Sequence, residues 1–414
     1  MGDLVNARTA AERLGVDVRT LYAYVSRGAL RRVPGPDGRS SRYDSDELEL
    51  LARRSRPRTL PRPAASIDLV IATRVSTVTD GMVRYRGTDV LDLVTTGEPF
   101  ERVADLLWQA GPPGSDGGWR LPGAGERPAL RLPDEIPVLH RFAIAVAATA
   151  SDVTADTAVP DWPTCGRHVI GCLIDASGSE SRHRDHAGHP DRAGHRDRPG
   201  HRDQAGHPDH ARHLDDDDKV ARRLWRRWSP LSPTPARVRA LDIALVLLAE
   251  HELALSTLSV RVAASARATP ASCLLAGLST LSGSLHGGAA RAAHDKLAAR
   301  EPVVSGFGHP VHRHGDPRVP PLLEAVYEIA TDEDRAVIEN ARRAAPRPLN
   351  VDFALGALTY AARMPAEAAT AIFAIARVAG WIAHAAEEYD EPPLRFRGRA
   401  VRPARSGLRS PSGG

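Results

Sequence analysis

Long segments rich in leucine and alanine dominate the second half of the chain, and they restrict the fold more than any other feature. One runs from Pro233 to Ala266, a second follows Thr269-Pro270, and a third follows Met364-Pro365. Each is longer than an ordinary strand and combines strong helix formers with apolar residues that need burial. These segments predict an all-α body. Charged residues interrupt the most apolar stretch, so we expect a buried helix there and no membrane span.

Two histidines lie in glycine-rich turns between the predicted helices. His286 is in SLHGG, and His309 is in GFGHP, shortly before a DPR turn. Glycine allows backbone conformations and close approaches that other residues avoid. A histidine held in such a turn can be positioned for proton or hydrogen-bond work. The alternative is a pair of surface histidines bound to water.

Three further polar residues lie within apolar helical segments. His251 is in the middle of the first segment, Asp352 is in LNVDF, and Arg377 is in the last helix. Burial raises the pKa of an unpaired aspartate, and a buried arginine needs an anion. Arginines with neutral histidines suit a small substrate with several carboxylates, and a lone carboxylate suits proton abstraction beside a carbonyl. No cysteine cluster, carboxylate cage, P-loop or GxGxxG motif is present, so we predict no metal and no bound cofactor.

The N-terminal residues predict a winged helix-turn-helix. Thr9 and Glu12 form a possible capping box before one short helix, a second begins near Val18, and the segment from Arg39 to Tyr43 suits a wing strand. This pattern resembles the MerR and excisionase type, which implies DNA binding. The recognition-helix residues would be Arg19, Thr20, Tyr22 and Tyr24, and the wing residues Arg39 and Arg42. The alternative is a module that serves only packing or oligomerisation.

Residues 183–213 form an imperfect repeat of the type GHxDxx, with no apolar residue larger than alanine. Such a segment has nothing to bury, and we expect a disordered insertion. Weak metal binding by its histidines is the less favoured alternative. The three cysteines are too few and too scattered for a disulfide framework, and no signal peptide is evident. We therefore expect a cytoplasmic protein.

Five ordered motifs from the middle of the chain onward resemble the citrate synthases. They are AEHEL, GSLHGGA, GFGHPVHRHGDPR, NVDF and FAIARVAGWIAH, and DGMVRYRGTDVLDL is similar to the family's N-terminal segment. The resemblance runs from Ser66 to Arg399 and is interrupted only by the insertion. It implies a helical homodimer whose large and small domains close over the substrates. It also implies condensation of acetyl-CoA with oxaloacetate, with acetyl-CoA as a co-substrate and no cofactor.

The resemblance assigns a role to each polar residue. Asp352 would remove the α-proton of the acetyl group, His286 would stabilise the enolate, and His309 would donate to the oxaloacetate carbonyl. The substrate carboxylates would be held by His251, Arg318, Arg377 and an arginine from the partner's tail, for which Arg397 is preferred and Arg395 is the alternative. Arg313 would contact CoA phosphates.

Two alternatives remain open at this point. A 2-methylcitrate synthase would use propionyl-CoA, and a transcription regulator would use the same body to sense a metabolite. The predicted domains are 1–60 (winged helix-turn-helix), 61–65 (linker), 66–180 and 220–287 (large domain), 181–219 (disordered insertion), 288–362 (small domain), 363–402 (large domain, last helix and tail) and 403–414 (disordered tail).

Overall fold

The computed structural model divides into two units, Met1–Ala72 and Thr73–Gly414. The residues it describes are 4–14, 18, 21–22, 25, 30–35, 40–44, 48, 69–79, 81–110, 119, 132–133, 135–149, 159–178, 219–283, 286–303, 305–309 and 311–398. The repeat at 183–213 and the tail beyond 398 lie outside these residues, so the predictions for them stay predictions.

The N-terminal unit combines one described helix with a small sheet. Strands β1 (Leu4–Asn6), β2 (Val33–Pro34) and β3 (Ser41–Asp44) form an antiparallel sheet in the order β1-β3-β2. Helix α1 (Ala7–Leu14) begins earlier than predicted, because the Asn6 side chain accepts the Thr9 N–H at 2.9 Å and caps the helix in place of Thr9. The described core residues of this unit include Leu21, Leu30 and Tyr43. Strand β3 covers most of the predicted wing.

The residues predicted to contact DNA are only partly described. Tyr22 is in helical conformation and 51% exposed, and Arg42 donates to Leu4 O at 3.2 Å. Arg19, Thr20, Tyr24 and Arg39 lie outside the described residues. The helix-turn-helix therefore stays a prediction.

The second unit starts with a three-stranded antiparallel sheet. Its strands are β4 (Ser76–Thr79), β5 (Met82–Tyr85) and β6 (Thr88–Asp89). Thr79 pairs with Met82 in the antiparallel ladder of β4 and β5, as the predicted hairpin requires, although Asp80 lies outside the described residues. The two small sheets qualify the all-α prediction, which holds for the rest of the described body.

Helices account for most of the described residues after the sheet. They are α2 (Val90–Thr96), α3 (Phe100–Trp108), α4 (Val138–Thr149), α5 (Trp162–Ala176), α6 (Val220–Trp228), α7 (Pro235–Leu248), α8 (Leu255–Ser265), α9 (Pro270–Leu281), α10 (Ala289–Ala299), α11 (Val319–Ile329), α12 (Asp332–Ala344), α13 (Val351–Ala361) and α14 (Glu367–Tyr389). As predicted, Thr269 caps α9 and Pro270 occupies its first turn.

Helix α14 is the centre of the core. It packs against α3, α5, α7, α8 and α9, and almost every residue between Ala368 and Glu388 is buried. Among the described helices it is the one long and apolar enough to cross a membrane, yet 94% of its most apolar window is buried inside the protein. Its apolar surface is therefore covered by other helices.

The predicted long helix from Pro233 to Ala266 is wrong, because the structure breaks it into α7 and α8. Residues 249–254 leave the helix, and polar contacts hold them there. Glu250 bonds to His384 Nε2 at 3.2 Å and to Ser76 Oγ at 3.3 Å, and the Glu252 carboxylate accepts the Val78 N–H at 2.8 Å. Buried polar groups need hydrogen-bond partners, and these side chains would not reach theirs if the helix continued through residues 249–254. The break places His251 in a turn.

Candidate active site

The loop that carries His309 is hydrogen-bonded to the start of α13, the helix that carries Asp352. Asn350 donates its backbone N–H to Gly306 O at 2.9 Å, and its side chain donates to Gly308 O at 2.9 Å. The same side chain caps α13 by accepting the Asp352 N–H at 3.1 Å. One residue thus connects the two predicted catalytic segments.

A second connection runs through Asp316 of the DPR turn. Its carboxylate accepts two hydrogen bonds from the Arg318 guanidinium, at 2.9 and 2.8 Å, and also accepts the Val351 N–H at 3.0 Å. Asp316 and Arg318 are both buried. The arginine is held in one orientation beside the first residue of α13, which is how a charged side chain becomes a fixed part of a site.

Hydrogen bonding decides which nitrogen of His309 carries the proton. Its Nδ1 accepts the N–H groups of Val311 at 3.1 Å and His312 at 3.3 Å, so the ring proton is on Nε2. Burial, helped by the positive charge of Arg318, lowers the pKa of His309 to about 4. At neutral pH His309 is therefore an uncharged ring with a single N–H to donate.

Asp352 has the properties of a general base. It lies in the first turn of α13, and its carboxylate has no hydrogen-bond partner among the described residues. Burial raises the pKa of Asp352 to about 6, against the opposing charge of Arg318. A carboxylate with a raised pKa is a stronger base than an exposed one and is still ionised at neutral pH.

His286 lies just before α10, where the helix begins one residue after Gly288. Its Nε2 is 2.9 Å from the Oγ of Ser256, a fully buried residue near the start of α8. Burial and the charge of Arg377 lower the pKa of His286. Because Nε2 is engaged with the serine, Nδ1 is the nitrogen left for a ligand.

Arg377 brings a positive charge to the break between α7 and α8. It is 2% exposed, and its Nε donates to Leu248 O at 2.9 Å. Among the described residues no hydrogen-bond partner engages its two terminal nitrogens, which are thus available to an anion. His251, also in this break, has its pKa lowered well below the usual value by burial and by the charges of Arg318 and Arg377.

The ring nitrogens of His251, His309 and His312 lie within 4.8 Å of one another, a spacing that could suit a metal ion. A metal-bound imidazole carries its proton on the other nitrogen, which normally donates it to an acceptor. Here Nδ1 of His309 accepts two backbone N–H groups, and Nδ1 of His312 is buried without a partner. The hydrogen bonding of this cluster therefore favours an organic ligand over a metal ion.

Two predicted residues are less closely tied to this cluster. Arg313 is exposed on the loop between His309 and α11. Gly315 and Asp316 of the same loop help to line a cavity of 540 Å³, whereas Arg313 does not. The cavity lies between α11, α12 and the segment before α13. In the tail, Arg395 donates twice to the Glu388 carboxylate, each time at 2.6 Å, whereas Arg397 is exposed and has no partner among the described residues.

The citrate synthase C-terminal domain profile matches residues 68–404, which is most of the chain. The chain belongs to the citrate synthase family. It is 30% identical to the 2-methylcitrate synthase of Shewanella oneidensis over 345 residues, which are 77% of this chain and 87% of that protein. It is 35% identical to the citrate synthase of Mycolicibacterium smegmatis over 181 residues, which are 38% of this chain and 48% of that protein.

The chain therefore spans about half the length of some of the curated family members it matches. Citrate synthase from Thermoplasma acidophilum, solved as a ternary complex with carboxymethyl coenzyme A and oxaloacetate, has the same fold. Its TM-score is 0.56 at 23% identity, over 81% of this chain and 94% of that one. The family and the helical fold predicted from the motifs are confirmed.

Sequence reasoning missed three residues of this family member's site. The DPR turn contains Asp316, and His312 follows His309 by three residues, but sequence spacing predicts no role for either side chain. Ser256 gave no sequence signal, because its contact with His286 joins residues 30 positions apart. Each of the three contacts the side chain of a candidate site residue, and for His312 and Ser256 that contact joins distant segments.

Proposed function

We propose that the chain condenses acetyl-CoA with oxaloacetate to give citrate and CoA. One observation carries the proposal: a carboxylate with a raised pKa, Asp352, and a neutral N–H donor, His309, are held on segments joined through Asn350. Carbon–carbon bond formation next to a thioester needs such a base and such a donor together.

In this reaction Asp352 takes a proton from the methyl group of acetyl-CoA, and His286 stabilises the oxygen of the resulting enolate. The enolate carbon attacks the ketone of oxaloacetate while His309 gives its Nε2 proton to the ketone oxygen. The proton that Asp352 removed is then released, and His309 takes up a proton from water, so both residues return to their starting states. Water then cleaves the thioester of citryl-CoA and releases CoA. A neutral donor such as His286 or His309 can stabilise a developing oxyanion through its N–H group and carries no positive charge before the reaction begins.

Charged groups near these residues suit a dicarboxylate. Arg318 and Arg377 are buried, and the positive charges of both act on His251. The proposal assigns the two substrate carboxylates to these three residues and the phosphates of CoA to Arg313. It also assigns to the substrate carboxylates one arginine from the tail of the partner protomer. Since Glu388 engages Arg395 within the chain, Arg397 is the better candidate.

The rate should depend on pH through Asp352. Only the ionised carboxylate accepts a proton, so kcat/KM is expected to rise as pH increases through about 6, the pKa of Asp352, and to level off above it. His309, with a pKa of about 4, stays a neutral donor over this range. Initial rates from pH 5 to 8 test this, and a rate that falls or stays constant between pH 5 and 7 contradicts it.

Release of free thiol from acyl-CoA in the presence of oxaloacetate tests the function itself. We expect release with acetyl-CoA, and no release with either acetyl-CoA or propionyl-CoA would refute the proposal.

The second candidate is 2-methylcitrate synthase, because family members with both names match the chain. One methylene changes discrimination by about 10- to 200-fold, so the ratio of kcat/KM for the two acyl-CoAs decides between them.

The proposal for the N-terminal unit is DNA binding, supported by the exposed Tyr22 on a helical segment and by the adjacent sheet. The full-length protein should retard a fragment of its own upstream DNA, with an affinity that falls steeply as salt rises. Tyr22→Ala should weaken retardation without changing thiol release. If the protein does not retard the DNA, or if its affinity for DNA does not change with salt concentration, DNA binding is contradicted. The alternative of a metabolite-sensing transcription regulator is then contradicted as well.

A further inference from the structure

His312 and His251 face each other inside the protein. Their Nε2 atoms are 2.9 Å apart, although the residues are 61 positions apart in the chain, and the two residues are 3% and 7% exposed. Two nitrogens this close form a hydrogen bond, so one of them carries a proton and the other accepts it. Burial lowers the pKa of both rings, so each carries one proton at neutral pH.

The surroundings of His312 decide the direction of this bond. Its Nδ1 is fully buried and has no hydrogen-bond partner among the residues that the structure describes. A buried N–H without an acceptor is strongly unfavourable, and such groups are rare in proteins. The proton of His312 is therefore on Nε2, and His312 donates to Nε2 of His251.

The direction of the bond fixes the state of His251. Because Nε2 accepts, the single ring proton of His251 must be on Nδ1. That nitrogen is not among the fully buried atoms without a partner, and no described residue bonds to it. His251 thus has one free N–H group, in the region where the charges of Arg318 and Arg377 act on the ring.

We propose that His312 is a positioning residue that holds His251 in the Nδ1–H form, so that His251 donates a hydrogen bond to a carboxylate of the 2-oxo dicarboxylate substrate. The identity of the substrate rests on the proposed function, whereas the proton position follows from the two histidines alone. A ring in the other form would offer a lone pair to the carboxylate and would repel it.

A purely structural role for His312 is the competing explanation, and two variants separate the roles. His312→Phe keeps a planar ring but removes the donor. His312→Gln supplies an amide N–H at a position similar to Nε2. If His312 sets the proton of His251, His312→Phe should raise the KM and the dissociation constant for oxaloacetate roughly 10-fold or more, with kcat changed much less. His312→Gln should keep most of the wild-type affinity.

Oxaloacetate binding to the purified full-length protein is measured by calorimetry, beside steady-state kinetics and thermal unfolding. Equal affinity in the wild type and His312→Phe overturns the proposal. An equal loss of affinity in His312→Phe and His312→Gln, with both variants folded, overturns it as well. Neutron diffraction from deuterated crystals locates the ring deuterons directly. Deuterium on Nδ1 of His251 supports the proposal, and deuterium on its Nε2 overturns it.

These readouts separate the present inference from the proposed function. If the wild type neither binds oxaloacetate nor releases thiol, the proposed function fails, and the substrate half of this inference fails with it. The deuteron positions still decide whether His312 sets the proton of His251.

Discussion

Replacement of Asp352 by asparagine is expected to lower kcat by roughly 10²- to 10⁴-fold, the contribution usual for a positioned general base. The asparagine side chain is nearly the same size but cannot accept the α-proton. The backbone N–H of residue 352 still donates to Asn350, so α13 keeps its cap. Oxaloacetate affinity should change little, because the proposed carboxylate ligands are other residues.

Glu101 offers a matched control, because burial raises the pKa of its carboxyl group as it does for Asp352. It accepts the Val220 N–H at 2.7 Å, in a different part of the body. Glu101→Gln makes the same chemical change and should leave kcat within a few-fold of the wild type. Thiol release under saturating substrates measures both variants. Similar losses in both would mean that the effect of Asp352→Asn is structural.

Gly306→Ala is expected to lower kcat by about 100-fold, because it separates the two catalytic segments. Gly306 has a φ of +84°, and an added Cβ would lie 2.8 to 2.9 Å from Phe353, including its backbone N and Cα atoms. Backbone atoms in a helix start cannot give way cheaply, so the His309 loop must move away from Asp352. A displacement of about 1 Å between reacting groups is enough for a loss of this size.

Gly315→Ala is the control for the backbone strain alone. Gly315 is in the loop between His309 and α11 and has a φ of +131°, and nothing lies within 4 Å of an added Cβ. The substitution strains the backbone without a collision, and kcat should fall far less than in Gly306→Ala. Kinetics and thermal unfolding are measured for both variants. If Gly306→Ala retains wild-type kcat, the connection between the two segments does not matter for catalysis.

The sequence alone indicated the candidate site residues, since each of them contradicted its surroundings. Asp352 and Arg377 stand in apolar helical segments, where an unpaired charge is unfavourable unless it has a function. His286 and His309 stand in glycine turns, which are local features that a sequence displays directly. Helix-forming residues likewise located the helices that follow Thr269-Pro270 and Met364-Pro365, because helix propensity and capping are local properties.

Only the tertiary structure decided the state of these residues. The proton of His309 depends on two local N–H groups, but that of His251 depends on His312, 61 positions away. The break that places His251 in a turn depends on Ser76 and His384, also distant in the chain. A hydrogen bond needs two atoms about 3 Å apart, and a sequence does not give the distance between remote segments. Residue identity was therefore predictable, whereas tautomer, partner and orientation were not.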